Sequence, residues 1–257
     1  MDCIISAGGI PEEEDLLYEY TQGRPKALLD MAGKPMVQWV VDALTGAKSI
    51  DHIILIGLRP EDGITSPKLT DVLPDQGSLV GNMVAGAERA LEYNPGAYHV
   101  VMATADIPTI TAEMVDGLIA QCTDPTVDVY YTVVERSLME ARFPNSKRSY
   151  VHLTDGDLAG GDIHIGNPKL AQTQRELAEE LLKNRKSALK QIRKIGFGLF
   201  VKLLLRRLSL REAEERISKS LNLKGKAVLA RHAELGMDVD KPFQLEICRQ
   251  ALLPRDK

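Results

Sequence analysis

Three places in this 257-residue sequence bring together residue types that handle phosphates and hard cations. The first is Ala7-Gly8-Gly9, directly after the apolar run 2–6, with Lys26 downstream. Glycines let backbone N–H groups close on a phosphate, and a lysine supplies a mobile positive charge for the β- and γ-phosphates. Two glycines after a strand are equally an ordinary tight turn. The second place is Asp106, which follows the apolar run 98–102 and precedes Ile107-Pro108. A carboxylate at a strand end projects into the crevice where ligands of open sheets collect, and there it can hold a Mg²⁺ that bridges phosphate oxygens. The alternative is an Asp capping the turn that Pro108 marks. The third is Asp238-Val239-Asp240. Carboxylates two apart on an extended segment face the same side and can complete a metal site with Asp106. Here the alternative is a surface turn in which Asp240 caps the last helix and Pro242 occupies its first turn. Both readings hold together if Asp238 binds metal while Asp240 caps.

Such residues meet only if their strands end at one edge of a sheet. Short apolar runs at 2–6, 52–57 and 98–103 predict buried strands. Met36, Val37, Val40, Val41 and Leu44 have helical spacing over 36–47, and helices are also predicted over 79–93 and over 111–121, the last capped by Thr111. Strands alternating with helices predict a mostly parallel sheet covered on both faces. The runs 127–134, 150–153 and 161–165 read as further strands that extend the sheet and wall the acceptor side. Helical periods follow over 169–184 and 187–207. Ser209 and Glu212 have the form of a capping box opening a third helix along Leu210, Ala213, Ile217 and Leu221. The chain returns to the sheet at 227–230 and ends in a helix to about residue 253. The expected architecture is α/β: one Rossmann-like, doubly wound domain over 1–257 with a mostly parallel mixed sheet and a helical insertion at about 168–223.

Composition supports this frame. With 44% hydrophobic and 26% charged residues the chain can bury a sizeable core. Cys3, Cys122 and Cys248 lie far apart without a CxxC pair, which argues against a disulfide framework or a cysteine zinc site and for a reducing, cytoplasmic location. Cys3 reads as a small core residue. The N-terminal residues lack the basic start and long apolar stretch of a secretory signal, so no export is expected. The five histidines form no pair at metal-ligand spacing.

The net charge of −4 is unevenly spread: 169–226 carries sixteen Lys or Arg against six Glu, or +10, leaving −14 elsewhere. No nucleic-acid partner is expected, because the basic stretch lacks interleaved stacking aromatics and the whole is acidic. The apolar run within 195–210 is too short to span a bilayer. It reads as a helix packed on the domain, or as an interfacial helix or lid giving peripheral membrane contact and receiving an anionic acceptor, with Arg142, Lys147 and Arg148 adding to that pocket.

Taken in order, the three places resemble the MobA-like NTP transferases. That nucleotidyltransferase family includes molybdenum-cofactor guanylyltransferases and the cytidylyl- and uridylyltransferases of sugar and polyol phosphates. The family's PKxLxxxxGKPxxxxxxxxL pattern is present as Pro25-Lys26-Ala27-Leu28, Gly33-Lys34-Pro35 and Leu44. The strand ending at Asp106 resembles the family's metal-binding aspartate, and Asp238-Val239-Asp240-Lys241-Pro242 its late D-x-D-x-P segment. The first loop departs from the family's GxGxRM, since Gly9 is followed by Ile10-Pro11 and the acids Glu12, Glu13, Glu14 and Asp15. Four acids beside a triphosphate repel it unless they point to solvent or help hold metal.

The resemblance implies a GT-A-like nucleotide-diphospho-sugar transferase fold and NMP transfer from an NTP to a phosphorylated sugar, polyol or cofactor, with Mg²⁺, or Mn²⁺ in its place, and release of pyrophosphate. By it, Ala7, Gly8, Gly9 and Lys26 hold the triphosphate, and Lys26 and Asp106 are catalytic. The segment Asp75-Gln76-Gly77-Ser78, ahead of a helix with Asn82, falls where the family contacts the base, so that Gln76, Gly77, Ser78 and Asn82 contact the nucleotide. Arg148, Gly160, Gly161 and Asp162 contact the acceptor, and Asp106, Asp238 and Asp240 the metal. A homodimer is compatible with it. Two alternatives stand beside this reading: a nucleotide-sugar glycosyltransferase using Asp238 and Asp240 as its D-x-D, and an inactive nucleotide-binding protein that kept the fold.

Overall fold

The computed structural model describes residues 1–173 and 202–253. In chain order its elements are β1 (Cys3–Ser6), α1 (Tyr18–Thr21), β2 (Asp30–Met31), β3 (Lys34–Pro35), α2 (Met36–Gly46), β4 (Ile53–Ile56), β5 (Leu69–Leu73), α3 (Leu79–Tyr93), β6 (Val100–Thr104) and α4 (Ala112–Ile119). They continue as β7 (Val129–Glu135), α5 (Arg136–Arg142), β8 (Val151–Leu153), β9 (Gly156–Gly160), β10 (Ile163–Gly166) and α6 (Leu170–Thr173). Beyond the segment not described lie α7 (Leu210–Leu221), β11 (Gly225–Leu229) and α8 (Pro242–Leu252).

Strands β5, β4, β1 and β6 are mutually parallel, β10 runs antiparallel between β6 and β7, and β11 adds in parallel to the far edge of β7. This is the expected α/β, Rossmann-like, mostly parallel mixed sheet. Period-two alternation divides the central strands between two cores. Cys3, Ile5, Ile53, Leu55, Val101 and Ala103 face the larger cluster, with Val37, Val40 and Leu44 of α2, Val115 and Leu118 of α4, and Leu245 of α8. Ile4, Ile54, Ile56 and Val100 face the other side, under Ala87 and Ala90 of α3. Parallel strands buried on both faces read as continuous apolar runs, which is why these three were visible in the sequence.

The strands after α4 differ from expectation in one respect. Beside the expected strands, 156–160 forms β9, a hairpin partner of β8. β9 and β10 lie along the same edge of β7, because β11 occupies the other edge from Val129 to Val133, where it overlaps the pairing of both. Tyr130 faces Ile165 and Val133 faces Gly160, so a step of three residues on β7 is matched by five on its partner. β9 and β10 are thus one strand interrupted by a bulge at Gly161-Asp162. Bulges re-aim side chains and recur beside active sites.

Helix ends also differ in detail. Thr111 occupies the N-cap of α4 without a side-chain cap bond, and Lys241, not Asp240, is the N-cap of α8, with Pro242 in the first turn as expected. Ser209 does accept the Glu212 N–H, while the Glu212 carboxylate reaches Lys202 instead of closing the box. Of the expected helices over 169–184 and 187–207, the larger part lies outside the described residues. Among the described residues no helix is long and apolar enough to cross a membrane.

Candidate active site

The carboxyl ends of β1 and β6 open into a cleft of about 470 Å³. Its first wall is Ala7-Gly8-Gly9, held by Ala7 N–H donating to Ile56 O (2.7 Å) and Lys26 N–H donating to Gly9 O (2.9 Å). Two close approaches demand glycine here. Gly57, at φ +105°, passes so near that a Cβ would lie 2.1 Å from the Gly8 nitrogen, and a Cβ on Gly8 would lie 2.2 Å from Asp75 Oδ1. The acids 12–15 that follow are exposed to solvent and do not line the cleft.

The opposite lip is the start of α3. Gly77, Ser78, Leu79, Asn82 and Asp75 line the cleft, whereas Gln76 turns away to donate to Pro74 O (2.7 Å). Ser78 is committed to capping the Gly81 N–H (3.0 Å). Asn82, buried, spends both ends of its amide on the lip: Oδ1 accepts the Gln76 N–H (2.7 Å) and Nδ2 donates to Asp75 Oδ1 (2.9 Å). It therefore shapes the loop, and the lip presents to an anion the N-terminus of a fifteen-residue helix, of which Ser78 caps only the Gly81 N–H.

On the floor, Lys26 Nζ is suspended between Asp106 Oδ2 (2.6 Å) and Asp240 Oδ1 (2.8 Å). Burial opposes its charge, but the carboxylates of Asp106 and Asp240 outweigh burial and hold the ammonium above the ordinary lysine range. Asp240 is lowered correspondingly, burial being outweighed by Lys26. A backbone bond from Val239 N–H to Asp106 O (3.0 Å) joins the two acidic segments, which are far apart in sequence. Asp106 Oδ1 is buried without a partner among the described residues.

Asp238 lines the same cleft, but its carboxylate is taken up by Arg148. The Arg148 guanidinium also donates to Gly160 O (3.2 Å) and lies 3.5 Å from Asp162 Oδ2. Asp162 is fixed at the bulge, its N–H donating to Leu235 O (2.9 Å) and its carbonyl accepting from Thr104 N–H (3.0 Å). Burial first, and then the neighbouring Asp106, push its carboxyl up to about 7. Gly160 and Gly161 do not line the cleft. A Cβ on Gly160 would meet Tyr131 Oη at 2.7 Å, and one on Gly161 would meet Thr132 at 3.0 Å, so the glycine pair serves the packing of the bulge.

The structure thus gathers Ala7, Gly8, Gly9, Lys26, Gly77, Ser78, Asn82, Asp106, Asp162, Asp238 and Asp240 around one cleft, and leaves Gln76, Arg148, Gly160 and Gly161 outside its lining, Arg148 reaching it through Asp162 and Asp238. Asp75, which heads the 75–78 segment that the resemblance places at the base, lines the cleft with Gly77 and Ser78. Among the described residues no three His, Cys, Asp or Glu side chains are arranged as a ready metal cage. The buried free thiols are poor nucleophiles, burial pushing Cys122 up to about 11 and Cys248 up to about 12.

A glycine loop after the first strand, a lysine between the strand-end Asp106 and the late Asp240, and a Rossmann-like sheet define the NTP-transferase class. The chain belongs to the MobA-like NTP transferase domain family, whose model matches residues 21–203. That span takes in Lys26, Asp106, Arg148 and Asp162, while Gly8, Gly9, Asp238 and Asp240 lie outside it. Among solved structures, a hypothetical transferase from Thermus thermophilus shares 33% identity at a TM-score of 0.82, covering 95% of this chain and 98% of that one. The fold is also that of CMP:2-keto-3-deoxy-manno-octonic acid synthetase in complex with CTP (TM-score 0.59, 16% identity, 97% and 98% covered). It is likewise that of 4-diphosphocytidyl-2C-methyl-D-erythritol synthase from Anaerococcus prevotii (TM-score 0.56, 12% identity, 98% and 95% covered). No curated protein is significantly similar to the chain.

Proposed function

We propose that the protein transfers a nucleoside monophosphate from an NTP to a phosphorylated small-molecule acceptor and releases pyrophosphate. The observation that carries this reading is Lys26, held between Asp106 and Asp240 at the floor of a cleft whose rim is the Gly8-Gly9 backbone and the N-terminus of α3. An oxygen of the acceptor's phosphate attacks the α-phosphorus in line. The bond from that phosphorus to the α,β-bridging oxygen breaks, and its electron pair leaves with pyrophosphate. Lys26 is placed to neutralise charge on the departing phosphates, and the backbone N–H groups of the first loop to orient them. No protein nucleophile is required.

The donor set fits a hard divalent cation. Five aspartates line the cleft against one lysine, all with oxygen donors, and Asp106 Oδ1 is an orphaned buried acceptor. Asp106 and Asp240 would hold Mg²⁺ or Mn²⁺ there, and the ion when bound supplies charge neutralisation for the triphosphate. Asp238, committed to Arg148, would set the guanidinium in place. That commitment speaks against a glycosyltransferase in which both acids of the D-x-D bind metal.

Pyrophosphate release, measured with each of the four NTPs against a panel of sugar and polyol phosphates, tests the reading. Asp106→Ala is expected to lose about 10²–10³ in rate with the fold retained, as seen when a transition-state-stabilising group is removed. Turnover unchanged in that variant would sink the assignment.

A further inference from the structure

Behind the Arg148 wall lies a second cavity, of about 610 Å³, between α5, the 143–148 turn and β8. Its charge is opposite to that of the cleft. Arg136, Lys147 and Arg148 line it against a single acid, Glu140. Three side-chain polar atoms in its lining residues are buried without a hydrogen bond of ordinary geometry among the described residues: Arg148 Nε, and Ser146 Oγ and Tyr150 Oη, which neighbour each other. Native proteins seldom leave such atoms unpaired, and all three here can donate a proton to an acceptor.

The turn is built to hold these donors in place. Asn145 at φ +66° and Lys147 at φ +51° are non-glycine residues in the left-handed region, flanking Ser146, which is 1% exposed. Backbone strain of this kind persists where surrounding structure over-determines it, and it clusters at ligand-binding sites. Gln244 of α8 pins the turn by donating to Ser146 O (3.3 Å). The Lys147 ammonium rests over the Phe243 ring at 5.4 Å, without a carboxylate partner among the described residues. Arg136, by contrast, is already paired with Glu140 (2.7 Å) and Asp157 (3.4 Å), so the available donors are those of 146–150.

The geometry points to this cavity as a binding subsite for a small anionic group, a phosphate or carboxylate, received by Ser146, Lys147, Arg148 and Tyr150. That its bearer is the nucleotidyl acceptor rests on the reading above; the anion site itself does not. Arg148 faces this cavity while pairing with Asp162 and Asp238 of the cleft, so an acceptor anchored here would lie against the wall that the two cavities share.

Titration calorimetry of the full chain with inorganic phosphate and, in a parallel arm, with acetate, without nucleotide or divalent cation, tests the subsite. Saturable binding of either anion is expected, and the anion that binds names the group. Ser146→Ala and Tyr150→Phe should each weaken it about tenfold, the effect of one hydrogen bond to a charged group. Their melting temperatures without anion should stay close to the parent's, since neither deleted hydroxyl makes a hydrogen bond of ordinary geometry, whereas a structural role for the contact between Ser146 and Tyr150 would lower them. Binding of neither anion overturns the proposal, as does binding that both variants leave intact. Binding abolished by Lys26→Ala but kept in Tyr150→Phe would place the anion in the cleft and equally overturn it. Loss of this binding with pyrophosphate release intact would remove the subsite alone; anion binding without NTP turnover would remove only its identification with an acceptor.

Discussion

Lys26 keeps two carboxylates from facing one another uncompensated, and that makes its removal a test of what else the floor of the cleft accepts. Its side chain is 19% exposed, that of Asp106 16% and that of Asp240 57%. The pair therefore lies between a buried and a surface ion pair. Lys26→Ala is expected to lose about 2 kcal/mol in chelator, intermediate between the values for exposed and buried pairs, and to recover part of it on addition of Mg²⁺. Equal stability with chelator and with Mg²⁺ would show that the acids do not form a cation site. Asp162 gives a second test through pH. Its folded carboxyl is raised to about 7 by burial and by Asp106, whereas an unfolded aspartate titrates near ~3.9. Between those values the folded state keeps a proton that the unfolded state has lost, so stability falls as pH rises from about 4 to about 7 and stays reduced above. Asp162→Asn should therefore raise the melting temperature at pH 8 in chelator and leave it unchanged at pH 4. A gain equal at both values would mean that the charge on Asp162 is not the cause.

At the scale of elements, the cleft depends on how tightly α3 lies on the sheet. A Cβ on Gly86 would come within 2.4 Å of Ile4 Cγ2 and 3.0 Å of Ile56 Cδ1. Alanine normally improves a helix interior by up to ~1 kcal/mol over glycine. Here Gly86→Ala is expected instead to destabilise by about 1–3 kcal/mol through overpacking, read from denaturant midpoints at constant m-value. A stabilised variant would mean that α3 can lift from β1 and β4. The same contrast between local and distant determinants explains what the sequence disclosed. The apolar strands 53–56 and 100–104, and the spacing of Val37, Val40, Val41 and Leu44, are local signals, and they placed Gly8, Lys26 and Asp106 at one sheet edge. By contrast 156–160, Gly-Asp-Leu-Ala-Gly, carries no strand signal of its own and becomes a strand only by pairing with β7 and β8. The bulge that aims Asp162 is a register shift between strands thirty residues apart, invisible in either strand alone. Nor could spacing reveal that Asp238 meets Arg148, or that Asp240 leaves the helix cap to Lys241 and turns to Lys26. Those outcomes are settled by long-range charge pairing.

Across the whole molecule, charge is sorted between two adjoining cavities. The cleft is lined by five aspartates and one lysine, and the cavity beyond Arg148 by three cations and one glutamate. A triphosphate alone meets a field of its own sign in the cleft, and one lysine already paired with two acids cannot reverse it. A divalent cation changes that sign locally, so metal and NTP should bind with positive coupling, each raising the affinity for the other by the same factor. In a thermal-shift titration, NTP without divalent cation should move the melting temperature little. With Mg²⁺ and NTP at 100 times its Kd, the stabilisation of ~2.7 kcal/mol amounts to roughly 5–10 °C for a domain of this size. Asp106→Ala should abolish that shift. Ionic strength provides the control: the acids lie within a Debye length of the cleft, so raising salt from about 0.01 to 0.15 M should lessen the repulsion toward metal-free NTP. The advantage conferred by Mg²⁺ should therefore narrow as salt rises. An NTP shift of full size in chelator, unaltered by salt, would show that the nucleotide enters by contacts away from the acidic floor, and that Lys26, Asp106 and Asp240 bind one another and nothing else.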